Sequence, residues 1–240
     1  MLDEYFVKHY DAIDSTHSES MRLYDKGLLI NGSVVIAESQ ICGFGRYNRK
    51  WESPSGNLYL TIAIKPNLPV SDWPKISYVA GISIYDSIMR VDQSIDTHFK
   101  WVNDILIDDK KCAGILLTNL KDQFLLVGIG INLINHDVLT KLNATSLDRH
   151  IADTDDLKDK ILSGLLDGFK LHYNAFQGVG FIPIKNIWMK HAYNRGKRVG
   201  VKFHNKEEEG IFLGIDDDGK LQLLQDGNIK LIDAGELFFI

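Results

Sequence analysis

Residues 37–54, AESQICGFGRYNRKWESP, constrain this chain more than any other stretch. Gly43 and Gly45 stand beside Arg46, Arg49 and Lys50, and Trp51 closes the run. Glycine tolerates positive φ and lets the backbone approach a ligand closely. Successive N–H groups in such a loop form an anion-binding concavity, and guanidinium groups add bidentate contacts to phosphate. Neither common phosphate loop is present, however. No GxxxxGK[ST] string occurs, and a GxGxxG turn fails because Asn48 holds its sixth position. The segment after it, 57–65 (NLYLTIAIK), is β-rich where that turn needs a helix. The stretch therefore predicts a strand–loop–strand anion site.

The rest of the chain frames that loop. Residues 5–13 (YFVKHYDAI) read as a short strand. Thr16 with Glu19 makes a capping box, predicting a helix to about Lys26 with Met21, Tyr24 and Leu28 on one face. Residues 33–39 form a buried strand, with Gln40 at its end, and 57–65 a second. Over 72–91, Ile76, Val79, Ala80, Ile84 and Ile88 fall at helical spacing. A strand over 97–101 delivers Asn103 and Asp104, and 105–120 reads as a β-hairpin turning at Asp108-Asp109. Lys111 starts its return strand, where Gly114 signals a close approach. Residues 124–134 are a third buried strand, with Gly128 and Gly130 leaving room beside it. An amphipathic helix follows over 155–176, and 181–194 link it to the last segment. From Arg195 on, short alternating strands separated by DDDG and QDGN turns predict a small SH3-like barrel. On the residues alone, Ser15 and Thr16 cap a helix, Gln40 ends a strand and Lys111 is a turn lysine.

The 240 residues suit one large domain with an appendage. A net charge of −5 disfavours a nucleic-acid surface over the whole chain. The barrel segment 195–240, with seven Lys/Arg against nine Asp/Glu, disfavours one there too. Two cysteines outside any CxxC, Cys42 and Cys112, fit a reducing cytosol. The opening MLDEYFVKHY has no signal-peptide pattern, and no apolar run reaches the ~18 residues of a membrane span. The expectation is a cytoplasmic protein with no membrane partner.

The loop resembles the glycine- and arginine-rich loop of biotin protein ligases, which commonly reads GRGRRGRxW. Ser15-Thr16, KWVNDI (100–105), KKCAGIL (110–116), GIGIN (128–132), ATSL (144–147) and the run 195–236 also match that family, in order. The resemblance implies an α+β fold: a class II synthetase-like biotin/lipoate ligase catalytic domain with a mixed β-sheet and flanking helices over 1–190, and an SH3-like barrel over 191–240. It implies a monofunctional enzyme, without a DNA-binding domain, that uses ATP, biotin and Mg²⁺. It would form biotinyl-5'-AMP and then biotinylate a lysine of the biotin carboxyl carrier domain of acetyl-CoA carboxylase. It allows a homodimer.

Carried over position by position, the resemblance makes Lys111, Arg46 and Asp104 catalytic. It places biotin against Ser15, Thr16, His17, Gln40, Gly43, Phe44, Gly45, Arg46, Lys111 and Gly114. ATP falls against Arg46, Arg49, Trp51, Lys111 and Asn132, and the metal ligands are left unassigned. The chain departs from the family at His17, usually Asn, at Phe44 and Tyr47, usually Arg, and at Asn48, usually Gly. Two other readings stay open. A lipoate ligase or octanoyltransferase shares the fold type, and some such enzymes use a cysteine nucleophile, as Cys42 beside the loop would be. A non-catalytic biotin-binding module is the third.

Overall fold

Period-two alternation on the central strands gives the larger sheet two different faces. The computed structural model describes every residue except 122, 138, 140, 141, 204, 205 and 240. Seven strands form this sheet: β1 (Phe6–Ile13), β2 (Ser33–Gln40), β3 (Leu58–Ile64), β4 (Thr97–Lys100), β5 (Asp104–Ile107), β6 (Lys110–Leu120) and β7 (Phe124–Ile131). Their order is β1-β2-β3-β7-β6-β5-β4. β1 and β2 run parallel and all other pairs antiparallel, so the sheet is mixed as expected.

On β3 and β7, Leu58, Leu60, Ile62, Ile64, Leu125, Val127, Ile129 and Ile131 join one large core. Helices α2 (Ile76–Val91), α3 (Leu157–Val179) and α4 (Ile182–Lys190) cover that face. The alternate residues Ala63 and Leu126 belong to a smaller cluster with Val35 and with Leu23 of α1 (Thr16–Asp25) on the other face. Every residue of β3 is buried, as a strand covered on both faces must be.

The C-terminal strands β8 (Arg198–Phe203), β9 (Lys206–Ile215), β10 (Leu221–Gln225), β11 (Asn228–Ile232) and β12 (Glu236–Phe239) form a five-stranded antiparallel sheet ordered β11-β10-β9-β8-β12. Among the described residues its ladder is not closed between β11 and β12. Val199, Phe212, Leu221 and Leu237 merge with the main core.

Several local expectations shift. The cap of α1 is Ser15, whose hydroxyl accepts from the amides of His17 and Ser18, because the Thr16 hydroxyl is taken by Gln40 and Thr61. The helix consequently buries Thr16, His17, Ser20 and Leu23, while Leu28 is exposed. β7 stops at Ile131 because Asn57 Oδ1 accepts the amides of Leu133 (2.7 Å) and Ile134 (2.9 Å), drawing the chain out of the ladder. Most of the expected 181–194 link is helix α4.

Tyr78 of α2 ties the two sheets together. Its hydroxyl donates to the Gly219 carbonyl (2.5 Å) and accepts from Trp101 Nε1 (3.0 Å), all buried. Tyr78→Phe leaves both partners without that hydroxyl, so a loss of about 1–3 kcal/mol is expected. Urea unfolding followed by tryptophan fluorescence measures it; an unchanged midpoint would show the bonds add nothing.

Candidate active site

The second face of the sheet carries little side-chain bulk where it meets the loop. Gly128 and Gly130 take the alternate positions of β7, and Gly114 faces Gly130 on β6. A Cβ on Gly130 would lie 2.7 Å from Trp51 Nε1, and one on Gly128 would lie 2.8 Å from His17 Nδ1. Only glycine lets these two rings rest on the backbone. The space left open is a cavity of about 530 Å³, within the usual range for small-ligand sites.

Ser15, Thr16, His17, Gln40, Phe44, Gly45, Arg46, Arg49, Trp51, Asp104, Lys111, Gly114 and Asn132 all line this one cavity. Gly43 does not. It stands behind the wall, where its carbonyl accepts the Trp51 amide (2.9 Å) and an added Cβ would meet Ser53 Oγ at 2.5 Å. The loop closes on itself through Gly45 N–H to Arg49 C=O (2.8 Å) and a bridge between Phe44 and Lys50. Its tip holds Tyr47 (φ 58°) and Asn48 (φ 56°) in the left-handed region. Thus the residue in the family's glycine position adopts a glycine-like conformation at a steric cost.

Several elements converge on the cavity. The end of β2 and the start of α1 share a polar knot: Gln40 Oε1 accepts the Thr16 amide (2.9 Å), and Gln40 Nε2 donates to Ser53 Oγ (2.9 Å). The β5–β6 hairpin sets Lys111 Nζ 2.6 Å from Asp104 Oδ1 and 5.2 Å from the Trp51 ring. Arg46 donates to Asn103 Oδ1 (3.1 Å). Arg49 makes a two-pronged pair with Glu236 of β12, at 2.7 and 2.6 Å, which lowers the Glu236 carboxyl pKa. Asn132 is buried and donates to the Thr145 carbonyl (3.1 Å).

Sequence reasoning gave no role to Lys100, Asn103 or Glu236, which also line the cavity. The first two lie within KWVNDI, so a signal was present. Glu236 had none, since it enters from a strand 187 positions beyond Arg49. Lys100 sits 5.3 Å from the Phe239 ring, and burial lowers its pKa.

His17, in the family's Asn position, packs edge-on against Phe44, another departure, at 5.7 Å. Its Nε2 lies 2.8 Å from Thr118 Oγ1, and Nδ1 is buried without a hydrogen-bond partner. Burial pushes its pKa down to about 4, from an ordinary 6.5. The unfolded chain therefore takes up this proton as pH falls through about 6.5, while the folded chain resists until about 4. Stability should be complete above that window and decline within it, by about 3 kcal/mol from this residue. His17→Asn should flatten the decline, measured as urea-unfolding free energies between pH 4 and 7. An equally steep decline in the variant would place its origin elsewhere.

Comparison with known proteins accords with this geometry. The Biotin/lipoate A/B protein ligase family matches residues 11–135, and the Biotin protein ligase C terminal domain matches residues 196–239. The chain is 30% identical over 246 residues to the bifunctional ligase/repressor BirA of Bacillus subtilis (strain 168), covering 99% of this chain and 74% of that protein. It is 30% identical over 240 residues to the biotin--[acetyl-CoA-carboxylase] ligase of Paracoccus denitrificans, covering 94% and 97%. The solved biotin protein ligase from Aquifex aeolicus in complex with biotin and ATP superposes with a TM-score of 0.84 at 26% identity, over 96% of this chain and 97% of that one. A fold, a cavity and a sequence that agree in this way place the chain in the biotin/lipoate A/B protein ligase family.

Proposed function

We propose that this chain is an ATP-dependent biotin protein ligase, which converts biotin to biotinyl-5'-AMP and then passes the biotinyl group to a lysine of a biotin carboxyl carrier domain. The observation that carries this reading is the meeting of Arg46, Lys111 and the paired Asp104 on one largely apolar cavity. A carboxylate is a poor acyl donor because oxide would have to leave. Attack of the biotin carboxylate on the α-phosphate of ATP expels pyrophosphate and gives a mixed anhydride. The acceptor amine then attacks the acyl carbon and AMP leaves. The first step gathers negative charge, which fixed cations stabilise without a covalent protein nucleophile.

In this assignment Lys111 and Arg46 face the carboxylate and α-phosphate, and Asp104 orients Lys111. Ser15, Thr16, His17, Gln40, Phe44, Gly45 and Gly114 surround biotin, with Gly43 shaping the loop from behind. Arg49, Trp51 and Asn132 serve the nucleotide. Trp51 also helps exclude water, which would hydrolyse the anhydride. Arg49 must leave Glu236 to reach phosphate. Mg²⁺ would neutralise charge on the phosphates. Among the described residues no group of three or more His, Cys, Asp or Glu side chains is placed to hold a metal.

We divide the chain into a catalytic part (1–190) and a C-terminal part (191–240), and place the reaction in the cytoplasm on the carrier domain of acetyl-CoA carboxylase, independent of DNA. No described helix is long and apolar enough to cross a membrane. A thiol-based acyl transfer finds no support: Cys42 is exposed, does not line the cavity, and has no hydrogen-bonded histidine among the described residues.

The protein should catalyse biotin-dependent exchange of pyrophosphate into ATP, and intact mass should show one biotinyl group added to a carrier domain. Exchange supported by octanoate or lipoate but not by biotin would overturn the assignment. Lys111→Ala should slow exchange by roughly 10²–10³-fold, the loss seen on removing one transition-state donor; a rate within about threefold of the parent would make the lysine ordinary surface. Cys42→Ser should leave exchange intact, and its loss would revive the thiol reading.

A further inference from the structure

The segment 144–147 (ATSL) lies beside the cavity, with Ala144 on its wall. Thr145 is buried, at 3% exposure, and does not line the cavity. It nevertheless holds two residues that do. Its amide donates to the Lys111 carbonyl (2.9 Å), within a parallel bridge that pairs Lys111 with Ala144. Its own carbonyl accepts Asn132 Nδ2 (3.1 Å). One peptide segment thereby touches both the lysine assigned to the carboxylate and α-phosphate and the amide assigned to the nucleotide.

The Thr145 side chain is itself held. Its Oγ1 lies 2.8 Å from His150 Nε2, and His150 Nδ1 lies 3.3 Å from Asp108 Oδ2. Asp108 is the first residue of the hairpin turn, at φ 47°, three positions before Lys111. The contacts therefore form a closed circuit from Lys111 to Thr145, to His150, to Asp108, and along the turn back to Lys111. Hydroxyl, imidazole and carboxylate stand in the order of a nucleophilic triad, yet Thr145 does not line the cavity. What the circuit can do is fix the hairpin against the segment that orients Asn132.

We propose that Thr145 and His150 are positioning residues for adenylation: through the Thr145 peptide they hold Lys111 and Asn132 at a fixed separation, so that the α-phosphate meets the lysine when the nucleotide binds. This rests on the ligase reading above. With Thr145 O–H donating to His150 Nε2, the Nδ1–H of the ring is directed at Asp108. Losing the hydroxyl frees the ring and the turn without altering any group that touches substrate. The consequence should fall mainly on the nucleotide and on turnover and less on biotin, which besides Lys111 and Gly114 of β6 is surrounded by residues of α1, β2 and the glycine loop.

The test is steady-state pyrophosphate exchange by Thr145→Val, Thr145→Ser, His150→Ala and His150→Gln, with melting temperatures taken on the same samples. Thr145→Val keeps the shape and should lower kcat/KM for ATP roughly tenfold, in the range found when outer-shell partners of a site are removed. KM for biotin should stay within about twofold. Thr145→Ser should restore the parental value, and His150→Gln should recover more than His150→Ala. Parental kinetics in both Thr145→Val and His150→Ala would overturn the proposal. So would equal losses for ATP and biotin that follow the fall in melting temperature and are not rescued by Thr145→Ser, since these mark a purely structural role. Absence of biotin-dependent exchange in the parent protein would instead count against the ligase reading.

Discussion

Everything at the cavity depends on side chains alternating across a strand. On β7, odd-numbered residues 125 to 131 fill the core beneath α2 and α3, while Gly128 and Gly130 clear the opposite face. One strand thus supplies cohesion on one side and space on the other. A one-residue slip in register would drive isoleucine into the cavity and glycine into the core. The pairings of β7 with β3 and β6 make such a slip costly, because both neighbours carry the same alternation.

Three of the cations at the site are paired before any substrate arrives. Lys111 rests on Asp104, Arg49 on Glu236 and Lys50 on Glu52. Arg46 is held by the neutral amide of Asn103, so it loses least by turning toward phosphate. The exposed Arg49 pair contributes little to stability in water, yet it sets where the loop sits. The Lys111 pair is more enclosed, so a carboxylate stands ready to keep that ammonium aimed.

How much of this was legible in the sequence followed the range of the interaction. Periodicity revealed β3, α2 and the hairpin turn, because burial on one face leaves a local trace. The GxG spacing marked the loop, and GIGIN marked the clearance along β7. Ser15 displaced Thr16 as the cap because Gln40 and Thr61, far along the chain, claim the threonine hydroxyl. Gly43 looked like a ligand residue but supports Trp51 from behind, a distinction that only the fold of the loop draws. Glu236 and the His150 contact to Asp108 arise where distant segments meet, and nothing in their immediate sequence announces them.

The loop tip also works as a set spring. Tyr47 and Asn48 occupy backbone conformations that cost non-glycine residues on the order of 1 kcal/mol each. Between the cations of Arg46 and Arg49, 5.2 and 5.8 Å from its ring, Tyr47 is held in that posture partly by their attraction. An anion that draws either guanidinium away removes part of what keeps the tip wound. A glycine at position 48 would adopt the same left-handed conformation without that cost.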